Sequence, residues 1–177
     1  LHIDTDVRRV IFIVEMKHEK DSSTIDNVRT LLGGKTRDFI TAVDEKNIII
    51  VKELEPTDGH AELEKMAQNM YTLFRNNGEE EVLIAYGTIV SDIKEVSKSY
   101  KEAKLALDVG KIFFDERDVI AYSELGIGRL IYQLPIPLCK LFIKEIFDGK
   151  SPDDFDEETL TTIFKFFENS LNVSETS

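Results

Sequence analysis

The feature that most constrains this chain is a change of hydrophobic period inside Val82–Gly110. The run from Val82 to Val90 is apolar, β-branched and aromatic, which favours a strand. After Ser91 the apolar residues follow steps of four, three and four and so share one helical face: Val96, Tyr100, Ala103 and Leu107. We therefore predict a strand followed by a helix that packs on the sheet containing that strand.

Local residues predict where this helix begins and ends. Asp92 and Glu95 have the spacing of a capping box, and Gly110 stands where a left-handed C-cap is expected. The cap contributes about 1 kcal/mol, whereas each large buried side chain contributes about 1.5–3 kcal/mol. Burial of the apolar face therefore contributes more to the stability of this helix than its caps do. The other faces are predicted to be solvated and carry Lys94, Lys98, Lys101, Glu102 and Lys104.

The remaining patterns predict an α+β domain, because runs typical of strands alternate with runs of helical period. In chain order they give a strand, a helix, a hairpin, a helix, a strand, a helix and a short strand. The predicted ranges are 10–14, 24–32, 39–43 with 48–51, 58–77, 82–90, 92–109 and 119–122. This order is typical of a ferredoxin-like sheet with packed helices.

After Ser123 the signals are purely helical, which predicts an all-α segment following the sheet. Pro135 is expected to end one helix and Pro137 to lie in the first turn of the next. Ser151 and Pro152 start another, with a final helix at about 156–170. We therefore predict two domains, an α+β regulatory domain at 1–122 and a helical segment at 123–177.

Composition excludes some classes of protein. A net charge of −12 argues against nucleic-acid binding by this chain alone, because phosphate binding needs a basic surface. Cys139 is the only cysteine, so no internal disulfide can form. No run approaches the roughly 18 apolar residues of a membrane span, and no signal peptide opens the chain. We expect a cytoplasmic protein, and Leu1 in place of an initiator Met leads us to expect a trimmed N-terminus.

No local pattern predicts an enzyme or a cofactor. The three histidines fit no ligand spacing, and His60 is interpreted as an exposed residue of a first helical turn. Gly33 to Thr36 faintly resembles a phosphate loop, but it lacks the GxxxxGK[ST] frame and follows a predicted helix. No pairing of Ser or Cys with His can be proposed from the sequence.

Two stretches together resemble a known family. The end of the chain, Phe164–Ser177, resembles the start of the C-terminal helix-turn-helix domain of the sugar-diacid regulator family (CdaR, with its purine-catabolism relative PucR). The turn that carries this resemblance is Asn172, Val173, Ser174, Glu175 and Thr176. Val82–Leu107, with YSELGIGRLI at Tyr122–Ile131, resembles the GGDEF-like domain that precedes the helix-turn-helix in the same family.

This resemblance implies a fragment of a bacterial-type, cytoplasmic transcription regulator. It implies a non-catalytic domain that senses or dimerises, followed by a helix-turn-helix whose DNA-reading helix is missing. DNA would then be a partner only through the missing C-terminal helices, the regulator would be a homodimer, and no membrane partner is implied. The effector implied is a sugar diacid or a purine-related metabolite, with no binding residues assigned.

The same resemblance bears on catalysis. True GGDEF enzymes condense GTP and bind Mg²⁺ through carboxylates, one at the end of the first strand and others in a Gly-Gly-Asp-Glu hairpin. By position Glu15 falls near the first, but the hairpin Val43–Asn47 has neither glycine and carries Lys46. Asp44 and Glu45 are interpreted as exposed turn residues. We therefore predict no catalysis, with a degenerate module that binds a purine nucleotide without turnover as the alternative.

Overall fold

The computed structural model describes residues 7–16, 38–44, 46–76, 81–114 and 117–146. Five strands of this part of the chain form one mixed sheet in the order β2-β3-β1-β4-β5. The strands are β1 (Arg9–Met16), β2 (Phe39–Ala42), β3 (Asn47–Glu53), β4 (Val82–Tyr86) and β5 (Val119–Ala121). The helices are α1 (His60–Asn76), α2 (Val96–Phe113), α3 (Gly128–Tyr132) and α4 (Ile136–Ile146). The predicted α+β fold with five strands in one sheet is confirmed.

The central strand β1 pairs antiparallel with β3 on one side and with β4 on the other, and β4 pairs parallel with β5. Phe12 lies opposite Ile50 of β3 and Tyr86 of β4. The apolar run at the start of β1 is buried on both faces, as its lack of alternation predicts.

Helices cover both faces of this sheet. Helix α1 packs through Leu63, Ala67, Met70 and Phe74 against the face that carries Phe12. Helix α2 packs through Ala103, Ala106, Leu107 and Val109 against the opposite face. Ile11 and Ile13 of β1 and Ala85 of β4 belong to that second core. The prediction that α2 packs on the sheet of its own preceding strand is therefore confirmed.

Strand β4 is shorter than the predicted run 82–90, because a side chain of α2 takes the place of the next backbone hydrogen bond between β4 and β1. Gly87 N still donates to Ile11 O (3.1 Å), but Ile11 N donates to Ser99 Oγ of α2 (3.0 Å). The chain returns to β1 only at Val90, which forms an isolated bridge with Arg9. A Cβ at Gly87 would lie 2.2 Å from Ser99 O, so this close approach of loop and helix requires a glycine.

The predicted ends of α2 need correction. Asp92 caps a short 3₁₀ turn, Ile93–Glu95, by accepting a bond from Lys94 N (2.8 Å), and α2 follows it. Gly110 is not a C-cap, because the helix continues to Phe113. Instead Gly110 is buried where α2 meets β5, and a Cβ there would lie 1.9 Å from Ile120 Cδ1. The glycine permits close packing rather than ending the helix.

Contacts divide the chain into two compact units, 1–125 and 126–177. In the described part of the second unit, α3 and α4 lie on either side of Pro135, as the sequence predicts. None of the described helices is long and apolar enough to cross a membrane. The helices predicted at 24–32 and 156–170 lie outside the described residues.

Candidate functional site

A cleft of about 630 Å³ opens at the end of β1, beside the turn that joins β2 to β3. The start of β4, the end of α2 and the segment before β5 form its other walls. Its polar lining carries both signs of charge, with the carboxylates of Glu15, Glu81 and Asp118 and the cations of Lys46, Lys111 and Arg117.

Glu15 reaches this cleft because it is near the end of β1 and follows Ile11 and Ile13 on the face covered by α2. Its carboxylate accepts a hydrogen bond from the ammonium group of Lys111 (Nζ to Oε2, 2.5 Å). The side chains of Glu15 and Lys111 are 25% and 41% exposed, so the pair adds little to stability. Its importance is that it gives the Glu15 carboxylate a fixed positive neighbour.

The carboxylate of Asp44, in the hairpin turn, accepts hydrogen bonds from backbone N–H groups of that turn. Its Oδ1 accepts from Lys46 N (2.8 Å) and Asn47 N (2.7 Å). The Asn47 side-chain amide donates to both carboxylate oxygens of Asp44, at 3.0 and 2.8 Å. The interpretation of Asp44 as an exposed turn residue is confirmed, since such Asx contacts are what stabilise a tight turn. Glu45 lies outside the described residues.

The turn is also tied to β1, which fixes Lys46 at the cleft. Met16 N donates to Lys46 O (3.0 Å), and Val43 N donates to Asn47 O (3.1 Å). On the opposite wall the Arg117 guanidinium lies 5.3 Å from the centre of the Phe114 ring and donates to Glu124 Oε2 (3.1 Å). The cleft therefore has one cation on the turn and another held by an aromatic ring.

These residues do not fit a Mg²⁺ site of the kind that true GGDEF enzymes have. Mg²⁺ needs oxygen ligands in near-octahedral geometry. Here Glu15 is paired with an ammonium group, Asp44 is bonded to the N–H groups of its own turn, and Lys46 brings the wrong charge. Within the described residues no group of three or more His, Cys, Asp or Glu is placed to hold a metal ion.

A second polar cluster was not predicted from the sequence. The Tyr86 hydroxyl donates to Glu64 Oε2 (2.9 Å), and burial together with this carboxylate raises the pKa of Tyr86. The His60 ring meets the Tyr86 ring edge-on at 6.5 Å, and His60 Nε2 lies 3.3 Å from Ser123 Oγ. These contacts join residues distant in sequence, so no local signal could have found them.

The interpretation of His60 as an exposed first-turn residue is confirmed, since it is exposed and begins α1. In the described part of the chain no carboxylate hydrogen-bonds to the other ring nitrogen of His60, which a catalytic triad with Ser123 would need. The residues that the resemblance assigns to a helix-turn-helix turn lie outside the described residues: Asn172, Val173, Ser174, Glu175 and Thr176. The same is true of Gly33 to Thr36.

The fold agrees with the comparison to known protein families. A family described as the GGDEF-like domain matches residues 1–109. Since this is more than half of the chain, the chain belongs to the GGDEF-like domain family. Neither the comparison with curated proteins nor the comparison with solved structures finds a match.

Proposed function

We propose that this chain is a non-catalytic sensing or dimerising fragment of a cytoplasmic transcription regulator related to the sugar-diacid and purine-catabolism regulators. The observation that carries the proposal is the Glu15–Lys111 ion pair in the cleft of a GGDEF-like domain. A catalytic relative needs metal-binding carboxylates at this end of β1. Here the carboxylate is bound to a lysine of the same domain, which supports a regulatory role.

The cleft is the place where we propose that a small effector binds. Its volume lies within the about 300–1,000 Å³ typical of small-molecule pockets. Lys46 and Arg117 supply the cations that bind carboxylate or phosphate groups, and Val82, Leu83 and Phe114 supply apolar surface. A sugar diacid is the effector class that the resemblance to the regulators favours.

The alternative is a purine nucleotide that binds without being turned over. One observation favours it: the Phe114 ring lies in the cleft with the Arg117 guanidinium over it, and an aromatic ring can stack on a base. Both candidates place a negatively charged group near Lys46, so one variant tests both.

A thermal-shift screen of sugar diacids against purine nucleotides, without metal ions, tests the proposal. A ligand that binds the folded state raises the melting temperature by mass action, equivalent to about 2.7 kcal/mol at 100 times its Kd. We expect a sugar diacid to do so, and Lys46→Ala to weaken the response. Lys98→Ala is the matched control, because Lys98 is an exposed lysine of α2 that does not line the cleft.

A response to nucleotides alone would favour the alternative. No response to either class, or an equal loss in Lys46→Ala and Lys98→Ala, would contradict effector binding in this cleft. We further propose that the regulator is a homodimer, and that it contacts DNA through helices outside the GGDEF-like domain.

A further inference from the structure

The position of Lys111 is set by the packing of α2. The residue follows Gly110, whose lack of a side chain lets the helix lie against Ile120 of β5. One turn earlier, Leu107 is fully buried in the core that contains Ile11 and Ile13 of β1. The helix is therefore fixed over β1, and the Lys111 side chain starts from a backbone position that faces the end of that strand.

Resting on the proposed non-catalytic function of this cleft, we propose that the Lys111 ammonium group takes the place of a divalent cation. It is the counter-ion of Glu15, and the domain accordingly does not take Mg²⁺ or Mn²⁺ at the end of β1. The carboxylate accepts this bond from the lysine at the end of β1, where the resemblance to GGDEF enzymes places a metal-binding carboxylate.

The rest of the cleft supports this assignment. The neighbouring Asp118 carboxylate raises the pKa of the Tyr71 phenol. Lys46 and Arg117 place two further positive charges on the cleft wall. A divalent cation at Glu15 would have to displace the Lys111 ammonium group, and the positive charges of Lys46 and Arg117 on the same cleft oppose its approach.

The experiment measures the melting temperature with increasing Mn²⁺ and with no nucleotide present. The specific response is the part of the shift that is lost when Glu15→Gln is introduced into the same background. In the wild type we expect no specific response at millimolar Mn²⁺. In Lys111→Asp a second carboxylate replaces the ammonium beside Glu15, and we expect a saturable specific rise of roughly 3 °C.

Lys101→Asp is the matched control, because it makes the same charge change at an exposed position of α2 that does not line the cleft. Lys111→Met, which removes the charge and keeps an unbranched side chain, serves if Lys111→Asp does not fold, and it too should gain a specific response. A specific Mn²⁺ response in the wild type would overturn the proposal. So would responses at position 111 no larger than that of Lys101→Asp.

The two proposals can fail separately. Mn²⁺ binding to wild-type Glu15 would overturn the role of Lys111, while the metal-free effector screen would still test sensing. Conversely, a domain that binds neither a cation nor an effector would support the role of Lys111 as the counter-ion and contradict the sensing function.

Discussion

Ser99 links α2 to β1 through one side-chain hydrogen bond. It is fully buried, and its hydroxyl accepts the Ile11 N–H at the point where β4 has ended. Without that acceptor a buried backbone donor would be left unsatisfied. Such an orphaned group costs about 1–3 kcal/mol.

Ser99→Ala should therefore lower the free energy of unfolding by about 1–3 kcal/mol. Ser97→Ala, at an exposed position of the same helix, should change it by about 0.5 kcal/mol or less. Urea denaturation of both variants measures the difference. Equal stabilities would show that the Ile11–Ser99 bond does not hold the helix to the sheet.

Tyr86 predicts a dependence of stability on alkaline pH. Burial and the neighbouring Glu64 raise the pKa of the Tyr86 phenol above its ordinary value of about 10. As the pH rises above about 10, the unfolded chain releases this proton before the folded chain does, so the contribution of Tyr86 to stability is lost progressively until the pH passes its raised pKa in the folded state. Below pH about 10 the contribution is fully present.

Tyr86→Phe should remove this part of the pH dependence. It also deletes the hydrogen bond to Glu64, which should cost about 1–2 kcal/mol at neutral pH. The free energy of unfolding of wild type and variant, measured between neutral pH and pH about 11, should converge as the pH rises. Curves that stay parallel would contradict the role assigned to Tyr86.

At the scale of elements, the contact between α2 and β5 can be tested through Gly110. Gly110→Ala gains about 1 kcal/mol of helix propensity, but the new methyl group meets Ile120 in a packed core, which costs about 1–3 kcal/mol. Ile120→Val removes the clashing Cδ1 atom and alone costs about 0.5–1.5 kcal/mol. The double variant should be more stable than the sum of the single changes predicts, by about 1 kcal/mol.

Denaturant titrations of the four proteins in this cycle give the coupling energy. Additive effects would mean that the contact with Ile120 is not what requires a glycine at position 110.

The elements also show what the sequence could predict. The spacing of the apolar residues predicted all five described strands and both long helices, because such spacing is a local property of the sequence. The end of β4 was missed, because it depends on a bond between Ile11 and Ser99, 88 positions apart. Gly110 was mistaken for a cap, because a glycine that ends a helix and one that admits a close neighbour look the same in sequence.

Only part of the candidate site could be predicted from the sequence. Glu15 could be placed at the end of the first strand, and Lys46 in the turn, from position alone. Lys111 could not be predicted as the partner of Glu15, because 96 positions separate them and only the packing of α2 joins them. The Tyr86–Glu64 bond was missed for the same reason.

At the scale of the whole molecule, charge sets an expectation for DNA. With a net charge of −12, the chain has few uncompensated cations to displace counterions from phosphates. We expect no sequence-selective shift of promoter DNA by this chain in a gel at low salt. Binding that favours the promoter over a scrambled duplex of equal length would place the DNA contact within residues 1–177.

The central claim is that this GGDEF-like domain regulates and does not catalyse, and turnover of GTP tests it most directly. The protein is incubated with GTP and Mg²⁺, and the products are separated by chromatography. The Glu15–Lys111 pair and the committed carboxylate of Asp44 predict no cyclic dinucleotide above a protein-free control. Product that rises in proportion to protein, and is abolished by Glu15→Ala, would contradict the account.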